Sequence, residues 1–370
     1  MRKNELPPNL PIGSGHEIAE EREKLKLPAV EVKNSVVFAN PAFKENAPFD
    51  VVLGKPTKLG LFFTPEPGAH EGERVIEPKL LPEEGKTRSG LVASVVFRDR
   101  DGNLWRDVDA KGIGVTRYYG SKNVEVENVY DTSEEADELK AKGLVDYNYA
   151  IGDSQMAERL LKAGIRTYRV IGITLLEEIV IEENDGTIKK IPIKEAEERG
   201  MIPKGMQPVA EIRAFGTKER IYSVSSGGRE RAEAALKDAK LLVAQELGIK
   251  PDEFSTADYL EWFAKTLGKE VAKLHKLKLV HIYLTYHNIA LDCRIVDLDS
   301  VDKEGSDDNH IYSRDIYSVK DSLWGLVHVI RRINIAEVSQ LQNVEYYQDL
   351  FKKSYDEELA LKKRGARREK

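Results

Sequence analysis

Asn288 and Asp297 stand nine residues apart in the stretch HIYLTYHNIALDCRIVDLDS, His281 to Ser300. Both side chains end in hard oxygen donors, and a short reverse turn between them brings the two strand ends together. That spacing suits one divalent cation, magnesium or manganese. Asp299 offers a further carboxylate. The plainer alternative makes Asn288 a turn residue and Asp297 a cap. The joint pattern with His281, seven residues before Asn288, favours the metal. His281 itself reads as a packing histidine whose ring bonds the loop backbone. His287, next to Asn288, is the candidate catalytic group, since an imidazole there can take a proton near neutral pH. An exposed turn residue is the equal alternative.

A metal held in this way calls for cations to hold phosphate. Lys111, in KGIG (Lys111 to Gly114), is placed at the end of the second strand of a hairpin, and two acids on the following helix could pair with it, Asp153 and Glu158. Gly112 and Gly114 are candidate nucleotide contacts. A dinucleotide-binding G-x-G-x-x-G is excluded, because its third glycine position is Arg117. Arg213 and Arg220 are seven apart, expected on two adjacent strands, and arginine forks bind phosphate oxygens bidentately. Two surface ion-pair arginines are the alternative reading.

These residues need positioning elements. Up to about residue 90 the chain is rich in Pro and Gly, with short strands at Ser35–Phe38 and Gly60–Phe63, and reads as a wrapping segment. Gly90–Phe97 and Leu104–Ala110 flank Asp101-Gly102, a hairpin signature. A polar insertion spans about 121–149, with a short helix over Ser133–Lys142. A helix from Gly152 ends at Gly164. Strands follow at Thr167–Ile173, Glu178–Ile181, Ile188–Ile193, Val209–Phe215 and Arg220–Val224. Beyond residue 226 the pattern is helical: Arg229–Leu247, then Thr256–Leu277 behind a capping box of Ser255 and Asp258, then about Ile316–Lys363. The expected organisation is a wrapping segment at 1–90, a strand-rich N-lobe at 91–225 and a helical C-lobe at 226–370. This is an α+β, protein-kinase-like two-lobed layout.

Bulk properties narrow the class. With 370 residues and 41% hydrophobic composition the chain can bury two lobes. A net charge of −6 with 32% mixed-sign charged residues argues against nucleic acid as partner. No apolar run reaches the roughly 20 residues that span a bilayer, and the expectation is a cytoplasmic protein without membrane association. Cys293 is the only cysteine, so no intrachain disulfide and no Cys-based metal cage is available.

The loop resembles the H-R-D-x-x-x-x-N catalytic loop of protein kinases, with Tyr283 where the Asp base stands. The order KGIG, a helix ending AGIRTYR, EIRAFGTKERI, LVHIYLTYHNIALDCRIVDLD and IYSVKDSLWGLVHVI resembles the selenoprotein O family of kinase-like protein adenylyltransferases. The matching blocks cover roughly residues 104 to 335. The resemblance implies ATP bound in flipped orientation and transfer of AMP to Ser, Thr or Tyr hydroxyls of proteins, this chain included. It implies phosphate binding by Lys111, Arg213, Arg220 and a helix acid, with Asp153 at the family's glutamate position, and metal binding by Asn288 and Asp297. The residue before the metal Asn is an Asp in the family and His287 here. An inactive nucleotide-binding pseudokinase and an ordinary kinase are the competing functions.

Overall fold

The computed structural model describes residues 26–44, 47–78, 86–118, 124–127, 143–226, 228–303, 309–333 and 335–365. The helix expected over Ser133–Lys142 lies outside the described residues. The described chain is α+β and divides into two compact units. One holds the described residues up to Ser154 with Arg169–Phe215, and the other holds Gln155–Tyr168 and the described residues from Gly216.

The first unit is built from strands β1 (Leu27–Glu31), β2 (Asn34–Ala39), β3 (Leu61–Phe63), β4 (Arg74–Pro78), β5 (Lys86–Arg98), β6 (Leu104–Tyr118) and β7 (Val124–Glu127). The start of helix α1 (Tyr147–Lys162) follows, then β8 (Arg169–Leu176), the hairpin β9 (Glu178–Glu182) and β10 (Ile188–Pro192), the short helix α2 (Ile193–Glu198) and β11 (Val209–Phe215). Nine strands make one sheet in the order β2-β8-β11-β6-β5-β4-β1-β3, with β7 on β6. The segment expected to wrap the fold up to residue 90 therefore supplies sheet strands β1 to β4.

β11 is buried along its whole length, although its sequence VAEIRAF interleaves charged with apolar residues. It carries Glu211 and Arg213 into that interior. Leu61, Phe62, Phe63, Ile113, Leu176 and Ile179 pack the core beside it. The hairpin of β5 and β6 turns at Gly102, whose φ of +87° only glycine adopts at no cost.

β6 overturns one expectation. Lys111 does not close the strand, because β6 runs on through Tyr118 and keeps its pairing with β5 and β7. Gly112 (φ +94°) and Gly114 (φ +103°) let the strand continue with a bend. A Cβ on Gly112 would lie 2.3 Å from the Val209 carbonyl oxygen, so its identity is explained by backbone packing within the sheet.

In the second unit the end of α1 is followed by α3 (Ile221–Ser226), where a strand over Arg220–Val224 was expected. The β-branched run misleads there. The Ser223 hydroxyl accepts from the Arg220 amide at 3.2 Å, and the Ser223 amide donates to the Arg220 carbonyl, so local bonds win over a ladder. Next is α4 (Arg229–Leu247), stopped by left-handed Gly248. α5 (Thr256–Lys276) starts at the expected reciprocal capping box of Ser255 and Asp258. β12 (Leu279–Val280) and β13 (Asp302–Lys303) pair on either side of the Asn288 loop. α6 (Asn309–Ile333) and α7 (Val344–Gly365) complete the unit. α7 crosses α5 closely at Gly268, where a Cβ would stand 2.4 Å from the Phe351 carbonyl oxygen. Among the described residues no helix is long and apolar enough to cross a membrane.

Candidate functional site

Each unit carries one cluster of the expected residues. In the sheet, the register of β6 and β11 sets Asp109 against Arg213 and Lys111 against Glu211. Residues two apart on a strand share a face, so all four charges point the same way. Arg213 donates from Nε to Asp109 Oδ1 at 2.9 Å and from Nη2 to Oδ2 at 2.7 Å. Both side chains are about 2% exposed. Arg213 is thus committed to a buried bidentate pair rather than an open fork. Nor do the two arginines occupy adjacent strands, since Arg220 precedes α3 in the other unit.

Lys111 is 4% exposed. Its ammonium lies 4.8 Å from the centre of the Tyr149 ring and 3.4 Å from the Tyr149 hydroxyl. Among the described residues it closes no ion pair with either helix acid. Asp153 is buried on α1, close enough to Glu211 to raise its pKa. Glu158, half-buried, falls in the part of α1 that belongs to the other unit. Five residues along a helix is roughly 140° of rotation, so the two acids look different ways. Glu211, absent from the sequence reading, is fully buried. Its carboxyl oxygens meet no backbone or cationic hydrogen-bond donor among the described residues. Burial first, and the charge of Asp153 second, push the Glu211 carboxyl well above the usual carboxylate range against the pull of Arg213 and Lys111.

The second cluster is the loop from His281 to Asp297. Among the described residues, the non-glycine positions with positive φ are Lys278, Ile282, Cys293 and Asp297, all within or beside this loop. A β-branched residue such as Ile282 at φ +69° is a true outlier, held only where the surroundings over-determine it. Asp315 on α6 supplies that hold. Its carboxylate accepts from the His281 and Ile282 amides at 2.9 Å each. His275 on α5 lies 3.2 Å from the same carboxylate and bonds Tyr355 Oη at 2.7 Å through its other nitrogen. The His281 ring donates from Nε2 to the Val296 carbonyl at 2.8 Å, as a packing histidine should. Burial lowers its pKa, so it stays neutral.

The hairpin between the two oxygen donors forms as expected. The Val296 amide bonds the Asn288 carbonyl at 3.0 Å, and the Ala290 amide bonds the Arg294 carbonyl at 2.9 Å. The Asn288 amide group donates to the Tyr283 carbonyl at 3.0 Å, which orients Oδ1 toward Arg220 Nη1 at 3.2 Å. Arg220 also donates to the His287 carbonyl. Asp297 is half-buried and Asp299 exposed. The His287 ring stacks on Tyr222 at 4.4 Å and lies tilted against Tyr286 at 4.3 Å. Tyr283 is 52% exposed.

Two oxygen donors of this kind fit magnesium or manganese, which keep several waters and take phosphate oxygens as further ligands. Among the described residues no group of three His, Cys, Asp or Glu forms a closed metal cage. Arg220 already places positive charge against Asn288 Oδ1, where a cation would compete with it.

No protein-family model matches this sequence. No curated protein matches it either. Among solved structures, the chain is similar to the kinase domain of a rhoptry antigen of Toxoplasma gondii, at 11% identity over 77% of this chain and 76% of that one, with a TM-score of 0.31. It is similar to ROP2 of the same organism, described as a virulence factor with a protein-kinase fold and no enzymatic activity, at 10% identity over 80% of each chain and a TM-score of 0.30.

Proposed function

We propose that the chain is a metal-dependent adenylyltransferase that moves AMP from ATP onto Ser, Thr or Tyr hydroxyls of proteins. The observation that carries this reading is the loop itself. It keeps Asn288, oriented by its bond to the Tyr283 carbonyl, and Asp297 nine residues on, while the position of a kinase base holds an exposed tyrosine, Tyr283. Magnesium or manganese at Asn288 and Asp297 would supply charge neutralisation on phosphate. On this reading Lys111 would neutralise phosphate charge, and Asn288 and Asp297 would hold the metal. The acceptor hydroxyl attacks the α-phosphorus, the bond from that phosphorus to the bridging oxygen breaks, and pyrophosphate leaves. The hydroxyl proton passes to the His287 imidazole or to water. No carboxylate at Tyr283 is then required.

A second reading, a nucleotide-binding scaffold without turnover, draws support from two closed contacts. Arg213 is bound to Asp109, and Arg220 to Asn288. Incubation with ATP labelled separately at the α and γ phosphates, with magnesium or manganese, separates the two by intact mass. Retained α label with a gain of one AMP is the expected result, and Asp297→Ala abolishes it. Retained γ label returns the chain to the ordinary kinases. No gain, with a metal-dependent thermal shift by ATP preserved, leaves the scaffold.

A further inference from the structure

The hairpin that carries Asn288 and Asp297 is held from outside by a residue that neither reading above uses. Arg166 follows the end of α1 and lies in the same unit as the loop. Its main-chain carbonyl accepts from the Ile295 amide at 2.9 Å, and the Thr167 hydroxyl donates to the Ile295 carbonyl at 2.7 Å. Arg166 and Thr167 therefore run along the outer edge of the strand that leads into Asp297, as a short parallel bridge. The guanidinium reaches the turn of the same hairpin. Its Nε and Nη2 donate to the Asp292 carbonyl at 3.2 Å and 3.0 Å. Its Nη1 and Nη2 donate to the two carboxylate oxygens of Glu246, on α4, at 3.1 Å and 2.7 Å. The guanidinium carbon lies 5.4 Å from the centre of the Trp262 ring on α5, and Glu270 of the same helix accepts from the Arg166 amide at 2.8 Å.

The turn has a physical need for such a hold. Cys293, directly after Asp292, stands at φ +64°, which a side-chain-bearing residue keeps only where its surroundings over-determine it. The Asp292 carboxylate is fastened separately, by Arg294 and by the Thr217 amide. Arg294 in turn lies 3.8 Å from Glu246. Two arginines and two carboxylates thus close around the turn with balanced charge. Only a planar fork meets a carbonyl and a carboxylate at once, so an ammonium at position 166 would satisfy one and release the other.

We propose that Arg166 is a positioning residue for the candidate site. By pinning both the turn and the outer strand of the hairpin, it fixes how Asn288 and Asp297 face each other, and so the affinity of that pair for a divalent cation. The cation rests on the adenylyltransferase reading; the pinned hairpin does not. Without the fork the Asp292 carbonyl loses its donors, Cys293 is free to leave the left-handed region, and the rung from the Val296 amide to the Asn288 carbonyl opens. Groups that orient a metal ligand from outside are worth about 10–100-fold in metal affinity.

The test titrates Mn2+ alone into the full chain and reads the free ion by its paramagnetic resonance signal. Wild type is compared with Arg166→Lys, Arg166→Ala and Phe351→Leu, the last a destabilised control buried where α7 crosses α5. Both Arg166 variants should bind Mn2+ about tenfold more weakly or worse. Added methylguanidinium, but not methylammonium, should restore the affinity of Arg166→Ala, while Phe351→Leu loses Tm and keeps wild-type affinity. Amide exchange should quicken at Cys293, Ile295 and Val296 in the Arg166 variants alone. If Arg166→Ala does not fold, Arg166→Lys carries the comparison. Wild-type Mn2+ affinity in the Arg166 variants, or exchange that rises evenly across the unit, overturns the proposal. A wild type that binds no Mn2+, or binds it equally after Asp297→Ala, removes the metal reading instead. Exchange then decides alone: a rise confined to the hairpin keeps the pin, and no rise overturns it.

Discussion

The charged face of the sheet and the strained loop of the helical unit solve opposite problems. In the sheet the backbone is regular while the side chains are costly. Asp109, Lys111, Glu211 and Arg213 are buried charges tolerable only because each has a neighbour of opposite sign or a proton. The loop buries one ion pair of its own, Asp292 with Arg294, and adds a costly backbone, with Ile282, Cys293 and Asp297 all left-handed. The sheet cluster stores its energy in electrostatics, and what sets the loop apart is torsion. Each should therefore fail in its own way.

The largest expected effect belongs to the sheet. Asp109→Ala leaves Arg213 as an uncompensated buried charge and should cost about 3–5 kcal/mol in urea unfolding, whereas replacing both partners with apolar residues of similar size is far milder. Next is Asp315→Ala, on the helix that holds the loop. Two buried backbone amides lose their acceptor, for a loss of about 2–3 kcal/mol, and amide exchange at His281 and Ile282 should rise together. A third test uses pH, where the two clusters tilt in opposite directions. His281 is buried with its pKa lowered from 6.5, so the unfolded chain binds the proton more readily. Stability should fall as pH drops below 6.5, at up to about 1.4 kcal/mol per pH unit, and His281→Gln should remove that slope. The smallest effect is Ile282→Gly. Relief of left-handed strain is offset by the freedom glycine adds to the unfolded chain, so the net change should stay within about 1 kcal/mol. Loss of activity without loss of stability in that variant would show that the torsion serves the loop's function and not the fold.

What could be read in the sequence was what bonds locally. The Asp101-Gly102 turn, the Ser255–Asp258 capping box and the Asn288 hairpin are each encoded within ten residues, and each formed. Arg220 was misplaced because Ile221 and Val224 are β-branched, while the deciding bond to Ser223 is a single hydroxyl. Asp109 and Arg213 lie 104 residues apart in the chain, and only the register of β6 on β11 brings them together. The same register hides Glu211, and no spacing announces Asp315, which meets the loop 34 residues after His281. Charges paired across strands carry no periodic mark. The sequence therefore leaves Arg213 open between a phosphate fork and an ion pair, and the register decides for the pair.

The order of strands in the sheet also has a kinetic consequence. β2 pairs with β8, so Asn34 waits for Leu176. β11, at residues 209–215, fills the place between β8 and β6. Contacts this distant along the chain make for slow folding. On the ribosome the sheet cannot close until β11 has emerged, and until then β6 and β8 each present an unsatisfied edge. A nascent chain halted before residue 209 should bind chaperones and resist compaction, and one halted after residue 215 has every strand of the sheet in hand.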